Sequence, residues 1–299
     1  MRRNRALASI KGDAMEYAKI NGVELEYEVR GSGDPVLLIS PVLADGFLPL
    51  VSEPALADRY RLITYHKRGW AGSTHSPGPV SVAEHAADAA ALLDHLGVQR
   101  AHIAGHSSGA AVAVQLALDC PERVHTLALL ELALLSVPSA ADFLQKAGPA
   151  FEAYAAGQHE TALAAFMSAV SGLEWKVCRA LLDERVPGAV AQSIRDADTF
   201  FGIELPGLSA WRFGAEEAAA ISQPVLSVLG TDTEPLWFEV AGLLRSWFTR
   251  VEECTIDGTG HLLHIQRPEP VAKCMAAFLD RHPMSGIGPR RTEVMAQLA

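Results

Sequence analysis

The sequence predicts an α/β fold: a mostly parallel twisted sheet flanked by helices, with a helical insertion. Three observations predict it. Short continuous apolar runs such as Val36–Ile39 and Ala101–Gly105 read as strands buried on both faces, the usual state in a parallel sheet. Amphipathic helical patterns alternate with these runs, as in βαβ units. The alternation stops near residue 136 and resumes near residue 224, across a stretch that is alanine-rich and helical in period. The 299 residues are 49% hydrophobic and 20% charged, enough apolar material for one large core with an insertion.

Taken in order, residues 1–14 read as a flexible leader. Val23–Arg30 alternates apolar and polar residues, the mark of a half-exposed strand, and Gly31 to Pro35 is a turn. Val36–Ile39 and Arg61–Tyr65 are buried strands. Ser81 followed by Glu84 forms a capping box, in which the serine caps the helix and the glutamate reaches back. Ala89, Leu92, Leu93 and Leu96 then share one helical face, and Gly97 stops the helix. A strand at Ala101–Gly105, a helix from about Ser108 to Asp119 and a strand at Val124–Leu130 follow. Residues 136–220 are the insertion, expected as a helical lid over the carboxyl ends of the strands, where open α/β sheets bind ligands. Strands at Pro224–Leu229 and Arg250–Ile256 and a helix from about Pro268 to Leu279 complete the core. That core comprises residues 15–135 and 221–282, and residues 283–299 read as a C-terminal appendage.

Lys plus Arg total 25 against 35 Asp plus Glu, a formal net charge of −10, which argues against nucleic acid and anionic membrane surfaces as partners. No apolar run reaches 18 residues; the richest, Val124–Leu135, is interrupted by Glu131, so no transmembrane helix is expected. The first 25 residues carry no apolar h-region, so no signal peptide is expected. Cys120, Cys178, Cys254 and Cys274 show no CxxC spacing, and four reduced thiols in a cytoplasmic protein are the expectation. With neither a Walker A loop nor HExxH, no metal and no cofactor are expected.

The strongest local signal is Gly105-His-Ser107-Ser-Gly109, a G-x-S-x-G pattern set between an apolar strand and an Ala/Val/Leu helix. A sharp strand-to-helix turn lifts the serine hydroxyl clear of the backbone. Glycines on either side let strand and helix approach closely, and the helix N-terminus points free N–H groups at developing negative charge. A serine needs a base to take its proton. His261, in the loop between the last strand and the last helix, is the candidate; His264 is its rival, read as lining the pocket or packing beneath the loop. A carboxylate must hold the imidazole tautomer. Glu131, amid apolar neighbours at the end of its strand, is one option, and Asp232 or Glu234 after the next strand are the others. The large apolar residues of the insertion either face an apolar or aromatic substrate or form the insertion's own core; Trp175, Trp211 and Phe201 are the candidates for substrate contact.

With these residues in view, the chain resembles the α/β-hydrolase superfamily over about residues 20–282. The elbow Gly105–Gly109 and the Gly258-Thr-Gly-His261 loop carry the resemblance, as does Arg68-Gly69-Trp-Ala-Gly72-Ser73, which is similar to the family's R-G-x-G-x-S loop. Leu263 to Glu269 is similar to the family's run from the histidine into the last helix. Two departures matter. Many members carry the acid as G-x-x-D after the seventh strand, a position held here by Thr233, with Asp232 one residue early. One subgroup of haloalkane dehalogenases and the zearalenone-type lactonases instead carry a glutamate after the sixth strand, where Glu131 stands; Gly105-His-Ser-Ser-Gly-Ala110 also resembles the lactonase elbow. The resemblance therefore favours Glu131 over Asp232. A serine at 107 disfavours dehalogenase and epoxide hydrolase activity, which use aspartate. The family's H-G loop is replaced by Ser40-Pro41-Val42, and the resemblance implies the backbone N–H groups of Val42 and Ser108 as oxyanion donors.

The resemblance implies a serine esterase or lactonase with the triad Ser107, His261 and Glu131, acting on an apolar or aromatic small molecule through an acyl-enzyme. The alternatives on the same scaffold are a ligand receptor and a non-hydrolytic enzyme such as a hydroxynitrile lyase or perhydrolase. A small-molecule ester or lactone is the expected partner, with homodimerisation open.

Overall fold

The computed structural model describes residues 15–284. The expected leader, residues 1–14, and the expected appendage from residue 285 onward lie outside the described residues. Eight strands form one sheet: β1 (Glu16–Ile20), β2 (Val23–Arg30), β3 (Asp34–Ile39), β4 (Tyr60–Tyr65), β5 (Ala101–His106), β6 (Val124–Leu130), β7 (Val225–Gly230) and β8 (Val251–Ile256). Their order across the sheet is β1-β2-β4-β3-β5-β6-β7-β8. The pairings β1–β2 and β2–β4 are antiparallel and all others parallel.

The pattern of apolar residues explains the layering. In the central strands both faces are apolar, so successive side chains enter different cores. Leu37, Ile39, Leu127 and Leu129 face one apolar cluster. Their neighbours Val36, Leu38, Ala128 and Leu130 face the other. Helices Val82–His95 and Ser108–Asp119 cover the first face. Helix Pro268–Arg281 packs with the short helices Leu48–Val51 and Pro54–Ala57 over the second. The capping box forms as expected: the Glu84 N–H donates to Ser81 Oγ (3.1 Å), and the Ser81 N–H donates to Glu84 Oε2 (2.9 Å). β1 was not legible as a strand, because of its five residues only Ala18 is buried. It is fixed by the Asn21-Gly22 turn, whose φ values of 46° and 76° fit a tight hairpin.

Between β6 and β7 the chain is helical without a strand. Helices Ala140–Ala155, His159–Ser171, Trp175–Arg185 and Ala189–Arg195 are followed by short pieces, among them a π-helical turn at Phe200–Glu204. Helix Pro235–Trp247, unmarked in the sequence reading, follows β7. The expectation of four reduced thiols is corrected: Cys254 on β8 and Cys274 on the last helix form a disulfide, with Cα atoms 6.6 Å apart, while Cys120 and Cys178 are free. The last helix lies against the edge strand, a proximity that a spacing of 20 residues does not reveal. Among the described residues no helix is long and apolar enough to cross a membrane, and no cluster of His, Cys, Asp or Glu is placed to hold a metal.

The capping box predicts that Ser81→Ala lowers unfolding stability by about 1 kcal/mol. Urea denaturation should show a lower midpoint at unchanged slope; an unmoved midpoint would contradict the cap's contribution.

Candidate active site

β5 ends at His106 and the next helix begins at Ser108, leaving Ser107 to make the whole turn. Its φ of 53° and ψ of −120° lie outside the ordinary regions for a residue with a side chain, a strain of about 1–3 kcal/mol. The turn is held by its surroundings. The Ser107 N–H donates to the Leu130 carbonyl (3.0 Å), and the Ser107 carbonyl accepts from the N–H of Ala110 (3.0 Å) and Ala133 (3.2 Å). The flanking glycines are sterically required: a Cβ on Gly109 would sit 2.0 Å from the Ile39 carbonyl oxygen, and one on Gly105 would sit 2.4 Å from that of Gly109.

His261 comes from the loop after β8, is buried, and lines the same cavity as Ser107. Its Nδ1 lies 2.7 Å from Glu131 Oε2. Trp237 stacks on the imidazole, ring centres 3.9 Å apart and planes 12° apart, and His106 lies against it at 4.5 Å. His106 also holds the loop, its Nε2 donating to the His261 carbonyl (2.8 Å). Glu131 makes the first turn after β6 with φ 45°, and its N–H donates to the Val228 carbonyl (3.1 Å). Its carboxylate accepts from the Gly230 N–H on Oε1 (2.9 Å) and from the Thr233 hydroxyl on Oε2 (3.0 Å). Burial raises the Glu131 carboxyl above its ordinary range, and the Gly230 and Thr233 donors oppose that rise. Burial holds the His261 imidazole well below its ordinary value, so the ring is neutral near pH 7.

The structure thus brings Glu131, not Asp232 or Glu234, to His261. Asp232 Oδ1 accepts from the neighbouring Thr231 hydroxyl (2.9 Å), and Glu234 binds Lys146 (2.6 Å). Thr233, which stands where the resemblance led one to expect the acid, donates to Glu131 instead. His264 packs beneath the loop, against Phe47 at 5.1 Å and His106 at 4.3 Å, and does not line the cavity.

The cavity measures about 290 Å³. Ser107, Ser108, Val42 and His261 line it together with Phe143, Phe151, Phe166, Phe200, Phe201 and Trp237, and no Asp, Glu, Lys or Arg lines it. Phe201 stands where a substrate-contacting residue was expected. Trp175 and Trp211 do not. Trp211 Nε1 donates to Gln115 Oε1 (2.8 Å) and its ring stacks on Phe213 at 5.4 Å, while Trp175 packs against the main core at the start of its helix. Trp211 thereby anchors the insertion on the core, because an aromatic ring in a helical segment finds the nearest apolar face whether or not that face is a site. Trp237 was missed; its available signal is Pro235, a helix-opening residue placed just after the acid candidates at the carboxyl end of β7.

A family model described as the alpha/beta hydrolase fold matches residues 45–268. A RutD protein of Azorhizobium caulinodans, provisionally named a carbamate hydrolase, is 38% identical over 115 residues, which is 38% of this chain and 43% of that protein, so the chain spans less than half of this relative's length. A thermophilic esterase from Thermogutta terrifontis superposes with a TM-score of 0.74 at 20% identity, covering 91% of this chain and 100% of that one. The enol-lactonase from Burkholderia xenovorans superposes with a TM-score of 0.69 at 21% identity, covering 89% of this chain and 100% of the other. At these identities the two structures speak for the fold.

Because burial lowers the His261 pKa, protonation of its ring requires a more acidic solution than for a free histidine. Ring nitrogen NMR across a pH titration should show His261 neutral at pH 6.5 and protonating only below it; a midpoint above 6.5 would contradict the burial argument.

Proposed function

The chain belongs to the alpha/beta hydrolase fold family, and from that premise we propose that it is a serine hydrolase cleaving an uncharged carboxylic ester or lactone with an apolar or aromatic portion. One observation carries the reading: a strained serine elbow and a histidine bonded to a buried glutamate line the same apolar cavity. The lack of charged side chains on that cavity favours a neutral substrate, since a buried charge without a partner is costly. The names of the superposed esterase and enol-lactonase are in keeping with attack on an acyl carbon.

In the proposed reaction Ser107 Oγ attacks the carbonyl carbon while His261 Nε2 takes the hydroxyl proton. Glu131 accepts from Nδ1, which leaves Nε2 as the basic nitrogen and offsets the imidazolium charge that develops. The backbone N–H groups of Val42 and Ser108 receive the oxyanion, a contribution of about 2.7–4 kcal/mol per donor in comparable sites. The imidazolium then returns its proton to the leaving alcohol oxygen as the C–O bond breaks, and an acyl group stays on Ser107. Water, deprotonated by His261, releases the acid and restores the serine. The stacked Trp237 holds the plane of the imidazole that Glu131 engages and covers one ring face.

Ser107→Ala should lower turnover of a neutral aryl ester by at least about a thousandfold. Near-normal turnover in that variant would overturn the mechanism. Glu131→Gln keeps shape and should lose about a hundredfold or more in kcat, whereas Asp232→Asn should stay within about threefold of the wild type. Steady-state kinetics on folded proteins, checked by circular dichroism, decide this; loss confined to the Asp232 variant would reverse the assignment of the acid.

A further inference from the structure

The insertion is tied to the core beside the nucleophile by contacts that the proposed mechanism does not use. The Ala71 N–H donates to Asp196 Oδ2 (3.0 Å), and Thr199 Oγ1 donates to the Gly69 carbonyl (2.7 Å). The approach is close: a Cβ on Gly69 would lie 2.6 Å from Thr199 Cγ2. The ties converge on Glu204, at the end of the π-helical turn Phe200–Glu204. Lys67 Nζ (2.7 Å) and Trp70 Nε1 (2.8 Å) donate to Glu204 Oε2. The remaining oxygen, Oε1, accepts from the Ser108 hydroxyl at 2.6 Å. All four of these side chains are buried. The wider π turn places Phe200 and Phe201 on the cavity while Glu204 lies off it, against the elbow.

A buried ion pair is weak evidence of a device for stability, because desolvating both charges offsets much of their attraction. Its arrangement suggests another use. Ser108 immediately follows the strained Ser107, and the peptide joining them sets the direction of both the nucleophile and the Ser108 N–H. We infer that Glu204 is a positioning residue: through the Ser108 hydroxyl it fixes the first turn of the helix at the elbow, and so aims the backbone N–H that receives the oxyanion. The inference rests on the serine hydrolase reading above. It makes the seating of the insertion a condition of oxyanion stabilisation. It also means that the Ser108 hydroxyl is engaged by Glu204 and is not a substrate ligand.

Ser108→Ala removes only the hydroxyl and leaves the backbone N–H and the Lys67 and Trp70 bonds to Glu204 in place. With a neutral aryl ester, kcat should fall about tenfold while KM stays within about twofold. The melting temperature should fall by about 2–5 °C, the cost of one charge-assisted hydrogen bond, with the protein still folded at the assay temperature. Ser108→Thr, which restores a hydroxyl, should recover most of kcat. Glu204→Ala should show at least the same loss, and the double variant no further loss than Glu204→Ala alone. Since Glu204→Ala strands Lys67 and can fail to fold, the Ser108 pair suffices for the test. Wild-type kcat in Ser108→Ala, or a loss that Ser108→Thr leaves unrestored, overturns the inference. If Ser107→Ala is inactive in the same assay, such a result removes this inference alone; if Ser107→Ala is active, the hydrolase reading falls first and takes the inference with it.

Discussion

The arrangement depends on a carboxylate that would be costly to bury alone. Glu131 follows five consecutive buried residues of β6 and is itself fully enclosed. Left without partners, its ionised form would be expelled or neutralised. Three donors, the Gly230 N–H, the Thr233 hydroxyl and His261 Nδ1, make its position tenable. Each comes from a different stretch of chain from Glu131 itself, so the hydrogen bonds tie β6, the loop after β7 and the loop after β8 together at one edge of the sheet. A charge-assisted hydrogen bond of this kind contributes about 1.5–3 kcal/mol, and losing one partner leaves the full desolvation penalty behind. The same bond that makes the burial possible fixes the tautomer and plane of the imidazole.

Around that bond the site is enclosed by side chains. Trp237 and His106 lie against the His261 ring, and the insertion closes the cavity with phenylalanine rings. Exclusion of water strengthens every fixed dipole aimed at developing charge. The cavity wall combines a hydroxyl, an imidazole and backbone near a helix start with a mostly apolar surface. The mouth is apolar as well, with Leu144 and Phe151 both partly exposed on helix Ala140–Ala155. An uncharged substrate can meet that surface without losing a hydrogen-bonded hydration shell.

Local chemistry made the fold legible in the sequence. Buried strands, the capping box at Ser81 and Glu84 and the elbow at Ser107 each follow from residues within a few positions of one another. What was not legible depends on distant packing. Asp232 and Glu131 were both chemically able to meet His261; the choice turns on where the chain leaves β6, with Glu131 at a positive φ pointing its carboxylate toward the loop after β7. Trp175 and Trp211 carried the right chemistry for a substrate wall, but their rings lie against other parts of the core, and Trp237 from beyond β7 occupies the place beside His261. The Cys254–Cys274 disulfide likewise depends on the last helix lying against the edge strand. Glu204 had no local signal at all, since its partners Lys67, Trp70 and Ser108 lie far away in sequence.

The hydrogen bond between Glu131 and His261 is the point on which the account turns, and its proton can be observed directly. Proton NMR in water should show a far-downfield resonance from His261 Nδ1–H that is absent in His261→Ala, moves in Glu131→Gln and stays in place in Asp232→Asn. A resonance that ignores Glu131→Gln but moves with Asp232→Asn would contradict the account.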